Sequence, residues 1–209
     1  MDHGPGLIAH DRRLGYRAVA GADEAGRGCL AGPLVAAAVR IDYHRLDAAG
    51  EQLLAGLDDS KRLSPARRQQ LYLAILGVAA GISVIVRSAA SIDARGLHAC
   101  NLESLATGLE RVDRPGTACL VDGFRLPGCR AAHTALVGGD RASAAIAAAS
   151  IVAKVTRDRF MQLADSEFPG FGFARHAGYA TRAHRDAIRR LGPSPIHRLS
   201  FKSAAYRPL

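Results

Sequence analysis

Cysteine is sparse in this chain, and the four that occur, Cys29, Cys100, Cys119 and Cys129, form no C-x-x-C pair and have no histidine at zinc-ligand spacing. That excludes a cysteine-built zinc centre and predicts reduced, partly buried thiols in a cytoplasmic protein. Long apolar runs are missing too. The first thirty residues carry Asp11, Arg12, Arg13 and Asp23, so neither a signal peptide nor a membrane anchor is expected, and the short alanine-rich apolar stretches read as core elements. No G-x-x-x-x-G-K-[ST] phosphate loop occurs, which counts against a nucleotide-hydrolysing enzyme. Internal repeats are absent, and the only compositional bias is towards alanine.

Lysine is scarce as well, and its scarcity is informative. Only Lys61, Lys154 and Lys202 occur against 25 arginines, in a chain with a formal net charge of +9 and a pI near 10. Such a surface attracts phosphates, and guanidinium groups bind them in a bidentate manner. Nucleic acid is therefore the leading partner class. From Lys154 onward 11 basic residues face 4 acidic ones, which predicts that this tail lies beside the nucleic acid.

With 209 residues and 48% hydrophobic content, the chain is long enough to bury one substantial core. A loose leader is expected over 1–15, where Gly4, Pro5 and Gly6 interrupt a polar stretch, followed by a body over 16–165 and a C-terminal helical, basic part over 166–209. Strands are predicted at 16–22, 34–41, 82–87, 118–121 and 132–137. Helices alternate with them. Ser64-Pro65 opens one that ends at Gly77, Asn101 caps a second that stops before Pro115, Ser143 opens a long one to about 164, and Thr181 starts a last one closed by Gly192-Pro193. In that last helix Ala187, Ile188 and Leu191 are expected to face inward and His184 outward. This order predicts an α/β layered fold with a mixed sheet, whose sites form where strands end.

Three strand ends carry carboxylates next to glycine: Asp23-Glu24 before Ala25-Gly26, Asp122 before Gly123, and Asp140 after Gly138-Gly139. Four acids converging in a basic protein would repel one another unless cations lay between them, and oxygen-only ligation suits Mg²⁺ or Mn²⁺. Two such ions could activate a water and stabilise the leaving oxygen of a phosphodiester. Any one of these acids alone would be an ordinary turn residue.

The wording of the chain is more specific than its spacing. Gly21-Ala22-Asp23-Glu24-Ala25-Gly26-Arg27-Gly28 with Leu30-Ala31-Gly32-Pro33 closely resembles the opening signature of the type 2 ribonuclease H family, ribonuclease HII. Further blocks match in order: Asp59 to Ser64, Val121-Asp122-Gly123, Ile146 to Asp158, His176 to Thr181, and a closing Gly192 to Phe201. The resemblance thus spans about residues 16–202. It implies an RNase H-like fold, a mixed five-stranded sheet flanked by helices with a small helical C-terminal part. It also implies Asp23, Glu24, Asp122 and Asp140 as ligands of two divalent ions, Mn²⁺ or Mg²⁺. The implied activity is hydrolysis of the RNA strand of RNA/DNA hybrids and incision 5′ to ribonucleotides embedded in duplex DNA, leaving 3′-hydroxyl and 5′-phosphate ends. Selecting a ribonucleotide means sensing its 2′-hydroxyl. The resemblance gives that task to Gly26-Arg27-Gly28 and to Tyr179, phosphate contacts to Lys61 and Lys154, and a place at the substrate to Ser60. Lys154 has an alternative role as an i,i+4 ion pair with Asp158. A monomer is expected, with a sliding clamp as a further partner to test.

Two positions depart from the family pattern. Cys29 stands where many members have proline, which predicts a less rigid turn and sensitivity to thiol reagents, and Lys61-Arg62 replaces the more usual Lys-Lys. Two rival readings stay open: another nuclease or transferase of the RNase H-like superfamily, and a basic nucleic-acid-binding protein without catalysis.

Overall fold

The computed structural model describes residues 3–206. Five strands, β1 (Ala18–Ala25), β2 (Leu34–Asp42), β3 (Gly81–Arg87), β4 (Thr117–Asp122) and β5 (His133–Leu136), form one sheet in the order β3-β2-β1-β4-β5. The β1–β2 and β2–β3 pairs are antiparallel and the β1–β4 and β4–β5 pairs parallel, so the sheet is mixed, as expected. The α-helices among the described residues are α1 (Gly4–Arg13), α2 (Ala48–Leu54), α3 (Pro65–Val78), α4 (Ala89–Arg95), α5 (Leu97–Val112), α6 (Ala144–Glu167), α7 (Phe173–His176) and α8 (Arg182–Leu191).

Alternation along β1, β2 and β4 feeds two cores. Val19, Val35, Ala37, Val39 and Leu120 pack against α6, while Ala20, Ala22, Ala36, Ala38, Cys119 and Val121 pack against Leu105, Leu109 and Val112 of α5. The alanine run explains how closely α6 approaches. Ala144, Ala145, Ala147, Ala148, Ala149 and Ala153 are all buried, and at Gly21 a Cβ would lie 2.2 Å from the Ala145 backbone, so only glycine fits where helix and strand meet. Two predicted caps form, Ser64 accepting from Arg67 N–H and Thr181 from His184 N–H, and Ser143, where the long helix was expected to begin, accepts from Ile146 N–H.

Four expectations need correction. The leader is helical in its described part. Leu7 and Ile8 of α1 are buried, and buried Asp11 accepts from Tyr43 Oη at 2.8 Å, Ser143 Oγ at 3.1 Å and Ala145 N–H at 3.0 Å, which ties α1 to the start of α6. Asn101 does not cap α5. The helix starts at Leu97 behind Gly96, and Asn101 lies buried inside it because its face packs on the sheet. On α8 the inward side includes His184, while Leu191 is half exposed, since the helix packs on a histidine cluster rather than a purely apolar surface. Lastly, α6 continues to Glu167, beyond the expected division at 165. Its Met161 and Ala164 join Leu30, Phe171, Phe173 and Ile188 in a third core that attaches the C-terminal part.

Candidate active site

Register brings the acids of separate strands together. Ala22 of β1 lies opposite Val121 of β4, and the next residue on each strand is Asp23 and Asp122. Asp140 sits in a 3-10 turn, Gly139–Arg141, between β5 and α6. That turn is held to β4 because Gly139 N–H donates to Asp122 Oδ1 at 2.7 Å. Glu24 follows Asp23, its N–H donating to Asp23 Oδ1 at 2.7 Å, and its carboxylate meets Arg27 at 3.5 Å.

The acids are costly where they stand. Burial first, then the charges of Glu24 and Asp122, push the Asp23 carboxyl up to about 8. Burial also raises Glu24, against the opposing pull of Arg27, and raises Asp140, whose acidic neighbours are Asp59 and Asp122. Among the described residues no three His, Cys, Asp or Glu side chains are gathered tightly enough to enclose an ion. Asp23 and Asp140 are buried and Glu24 and Asp122 half-buried at the strand ends. A donor set made only of carboxylate oxygens, with Asp23, Glu24 and Asp140 held towards the protonated form by burial first and by neighbouring acids second, fits a hard divalent cation that would replace those protons.

Beside the acids opens a cleft of about 210 Å³, lined by Glu24, Ala25, Gly26, Arg27, Gly28, Ser60, Lys61, Ser150, Lys154 and Tyr179. All seven residues expected to contact substrate therefore meet in one place. Partial burial works against the charge on Lys61, yet Asp59, Asp23 and Asp140 outweigh it and hold its pKa above the usual lysine value. Lys154 Nζ pairs with Asp158 at 2.7 Å and lies 6.0 Å from the Tyr179 ring centre, so the ion pair forms and the ammonium still borders the cleft. Ser60 is buried, its Oγ 2.9 Å from Ser150 Oγ. Sequence reasoning missed Asp59 and Ser150. Ser150 interrupts a run of alanines, the one signal that could have drawn attention to it. Cys29 is fully buried and burial raises its thiol, so the expected thiol sensitivity is not supported: a protonated, enclosed sulfur is a poor nucleophile.

Tyr179, 43% exposed, is carried by a neutral histidine network. Tyr179 N–H donates to the His176 carbonyl at 2.9 Å, and the Tyr179 carbonyl lies 2.9 Å from His184 Nδ1. His184 Nε2 lies 3.1 Å from His197 Nε2, and His197 Nδ1 accepts from Ser194 N–H at 2.8 Å. One tautomer set fits these bonds: His184 donates from Nδ1 to the Tyr179 carbonyl, His197 donates from Nε2 to His184, and His197 Nδ1 accepts from Ser194. Burial, then His184, pulls His197 down to about 4. The unfolded chain takes up this proton near pH 6.5 and the folded chain only near 4. Stability is thus fully present above 6.5 and falls through that window, by roughly 2–3 kcal/mol. Urea midpoints from pH 7.5 to 4.5 should show a steeper decline in the wild type than in His197→Gln; parallel curves would refute the network.

A family model described as Ribonuclease HII matches residues 20–204. The ribonuclease HII of Salinispora tropica is 48% identical over 203 residues, covering 96% of this chain and 73% of that protein. Among solved structures, the RNase HII of the PCNA:RNase HII complex from Archaeoglobus fulgidus superposes with a TM-score of 0.75 at 28% identity, covering 91% of this chain and 98% of its own. Bst-RNase HIII, crystallised with Mn²⁺, superposes at 0.69 with 19% identity over 97% of this chain and 71% of its own, a likeness of fold.

Proposed function

The chain belongs to the ribonuclease HII family, and we propose that it is an endonuclease that cuts the RNA strand of RNA/DNA hybrids and nicks duplex DNA 5′ to an embedded ribonucleotide, with Asp23, Glu24, Asp122 and Asp140 as its ion ligands. The observation that carries this reading is the adjacency of the acidic strand ends to a cleft in which Gly26-Arg27-Gly28 and Tyr179 face two lysines.

The family implies a divalent metal, and the finer assignment to two Mg²⁺ or Mn²⁺ ions is ours. Bound there, such ions would supply a nucleophilic water and neutralise the developing charge on the leaving 3′ oxygen. The residues do the rest. Asp23 and Asp122, fixed on neighbouring strands, set the position of the scissile phosphate. Arg27 and the turn around it face the sugar, and the exposed edge of Tyr179 offers a flat surface to the adjoining deoxynucleotide. Lys61 and Lys154 bind flanking phosphates.

A labelled duplex holding one ribonucleotide should be nicked on its 5′ side, with a 3′-hydroxyl end, in Mg²⁺ or Mn²⁺ and not in chelator. Equal cutting of all-DNA duplex would favour a different nuclease of this fold. Removing one phosphate contact should lower the slope of log affinity against log salt by about 0.9. Lys154→Met is expected to show this in hybrid titrations between about 50 and 200 mM salt; an unchanged slope would leave Lys154 only its ion pair with Asp158. The complex of the Archaeoglobus relative makes a sliding clamp the partner to test, by co-elution of the two proteins.

A further inference from the structure

Two arginines lie buried with no carboxylate partner among the described residues. Arg157 on α6 is 1% exposed and Arg198 is fully enclosed. Arg157 donates to the carbonyls of Pro33 at 2.9 Å, Ala177 at 2.8 Å and Ala31 at 3.0 Å. Arg198 donates from Nε to Gly32 O at 2.9 Å and from Nη1 to Gly26 O at 2.7 Å and Arg27 O at 3.0 Å. Arg198 Nη2 is buried with no acceptor among the described residues. Burying two guanidiniums side by side opposes folding. Burial, with Arg157 second, pulls the Arg198 pKa down to about 10. Such an arrangement is hard to explain as packing alone, because apolar side chains of similar volume would fill the space without that cost.

What the pair does follows from peptide geometry. In a planar trans peptide the C=O and the N–H of the next residue point in opposite directions. With the carbonyls of Gly26 and Arg27 drawn inward onto Arg198, the N–H groups of Arg27 and Gly28 are turned outward, and both residues line the cleft. Neither amide has a protein acceptor among the described residues. Hydrogen bonding of each carbonyl to a cation also polarises its peptide and strengthens the outward donor.

We propose that Arg198, buttressed by Arg157, is a positioning residue for ribonucleotide recognition, holding the Gly26-Arg27-Gly28 backbone so that two amide N–H donors face an oxygen of the bound nucleotide. This rests on the reading of the cleft as the seat of the ribonucleotide. Arg198 touches no substrate and acts through the turn.

The test compares Arg198→Met and Arg198→Lys with the wild type on a duplex carrying one ribonucleotide, alongside Ile75→Ala, a core change remote from the cleft that controls for lost stability. All are assayed where circular dichroism shows the native spectrum. Arg198→Met should lose about 100-fold in kcat/KM, mostly in kcat, the penalty for one misaligned recognition element. Arg198→Lys, keeping the charge but not the fork, should fall between, and Ile75→Ala should keep the wild-type kcat. In ¹⁵N spectra with a non-cleavable duplex, the Arg27 and Gly28 amides should shift in the wild type and not in Arg198→Met. If Arg198→Met does not fold, Arg198→Lys carries both readouts. Wild-type kcat and amide shifts in a folded Arg198 variant would overturn the clamp while leaving the cleft's assignment intact. A wild type that cuts all-DNA duplex equally well would instead overturn the assignment, and the clamp with it.

Discussion

Asp23→Asn is expected to abolish cleavage, a fall of about 10³-fold or more given what a single preorganised electrostatic partner contributes to a transition state, while hybrid binding stays measurable. The asymmetry follows from where the charges lie. Binding draws on the net charge of +9 spread over the surface, and replacing one buried carboxyl does not weaken it. Catalysis draws on oxygen ligands, and an amide is a poor substitute for a carboxylate towards a hard cation. The same change should raise stability in chelator. With its carboxyl pushed up to about 8 by burial and by Glu24 and Asp122, wild-type Asp23 binds a proton in the folded state that it releases near 3.8 when unfolded. Its contribution is therefore greatest below about 3.8 and is lost as pH rises through about 8. An asparagine carries no such dependence, so its advantage should grow between pH 5 and 9, reaching a few kcal/mol at most, roughly the 1.4 kcal/mol per pKa unit that linkage allows. Urea unfolding across that range, paired with single-turnover cleavage, checks both halves. Asp122→Asn should match it in cleavage, and retained cutting in both would mean that the wrong acids carry the chemistry.

The second expected result separates two glycines that the sequence presents as equivalent. At Gly26, with φ at +94°, an added Cβ would lie 2.0 Å from Arg157 Nε and 2.8 Å from the Pro33 carbonyl oxygen. Gly26→Ala must strain the backbone or displace the arginine, and should cost about 2–4 kcal/mol along with most of the activity. At Gly28 an added methyl group would meet nothing within 4 Å, and φ is not in the left-handed region. Gly28→Ala should fold as well as the wild type, or gain up to about 1 kcal/mol from a stiffer unfolded chain. Its methyl group would enter the cleft, so kcat/KM on a single-ribonucleotide duplex should fall at least about tenfold, as misplacing a substrate by a fraction of an ångström does. Thermal melts and cleavage rates together decide this. Wild-type activity in folded Gly28→Ala would mean that the substrate does not pass over this turn.

These glycines show how far the sequence could be read. Their spacing beside two acids marks a special turn, but that Gly26 makes room for Arg157 depends on a helix more than a hundred residues away. Local signals were legible: the caps at Ser64 and Thr181, the start of the long helix at Ser143, the alternation in the strands, and the acids at strand ends. Tertiary partners were not. Asp11 stands in a stretch broken by glycine and proline, and its role is visible only once Tyr43 and Ser143 lie beside it. The basic surplus counted from Lys154 onward took Arg157 and Arg198 as surface charge, although both face inward. Histidines at loose spacing gave no pattern along the chain, yet His184 and His197 meet in a chain of neutral hydrogen bonds beneath Tyr179. In each case a polar or charged residue is buried against polar partners distant along the chain, a pairing that hydrophobic periodicity cannot report.

The most direct test of the account is anomalous diffraction from crystals soaked in Mn²⁺. It predicts peaks between the carboxylates of Asp23, Glu24, Asp122 and Asp140, about 3.5–4 Å apart if two ions bind. A Mn²⁺-soaked crystal with no peak among these four side chains would contradict it.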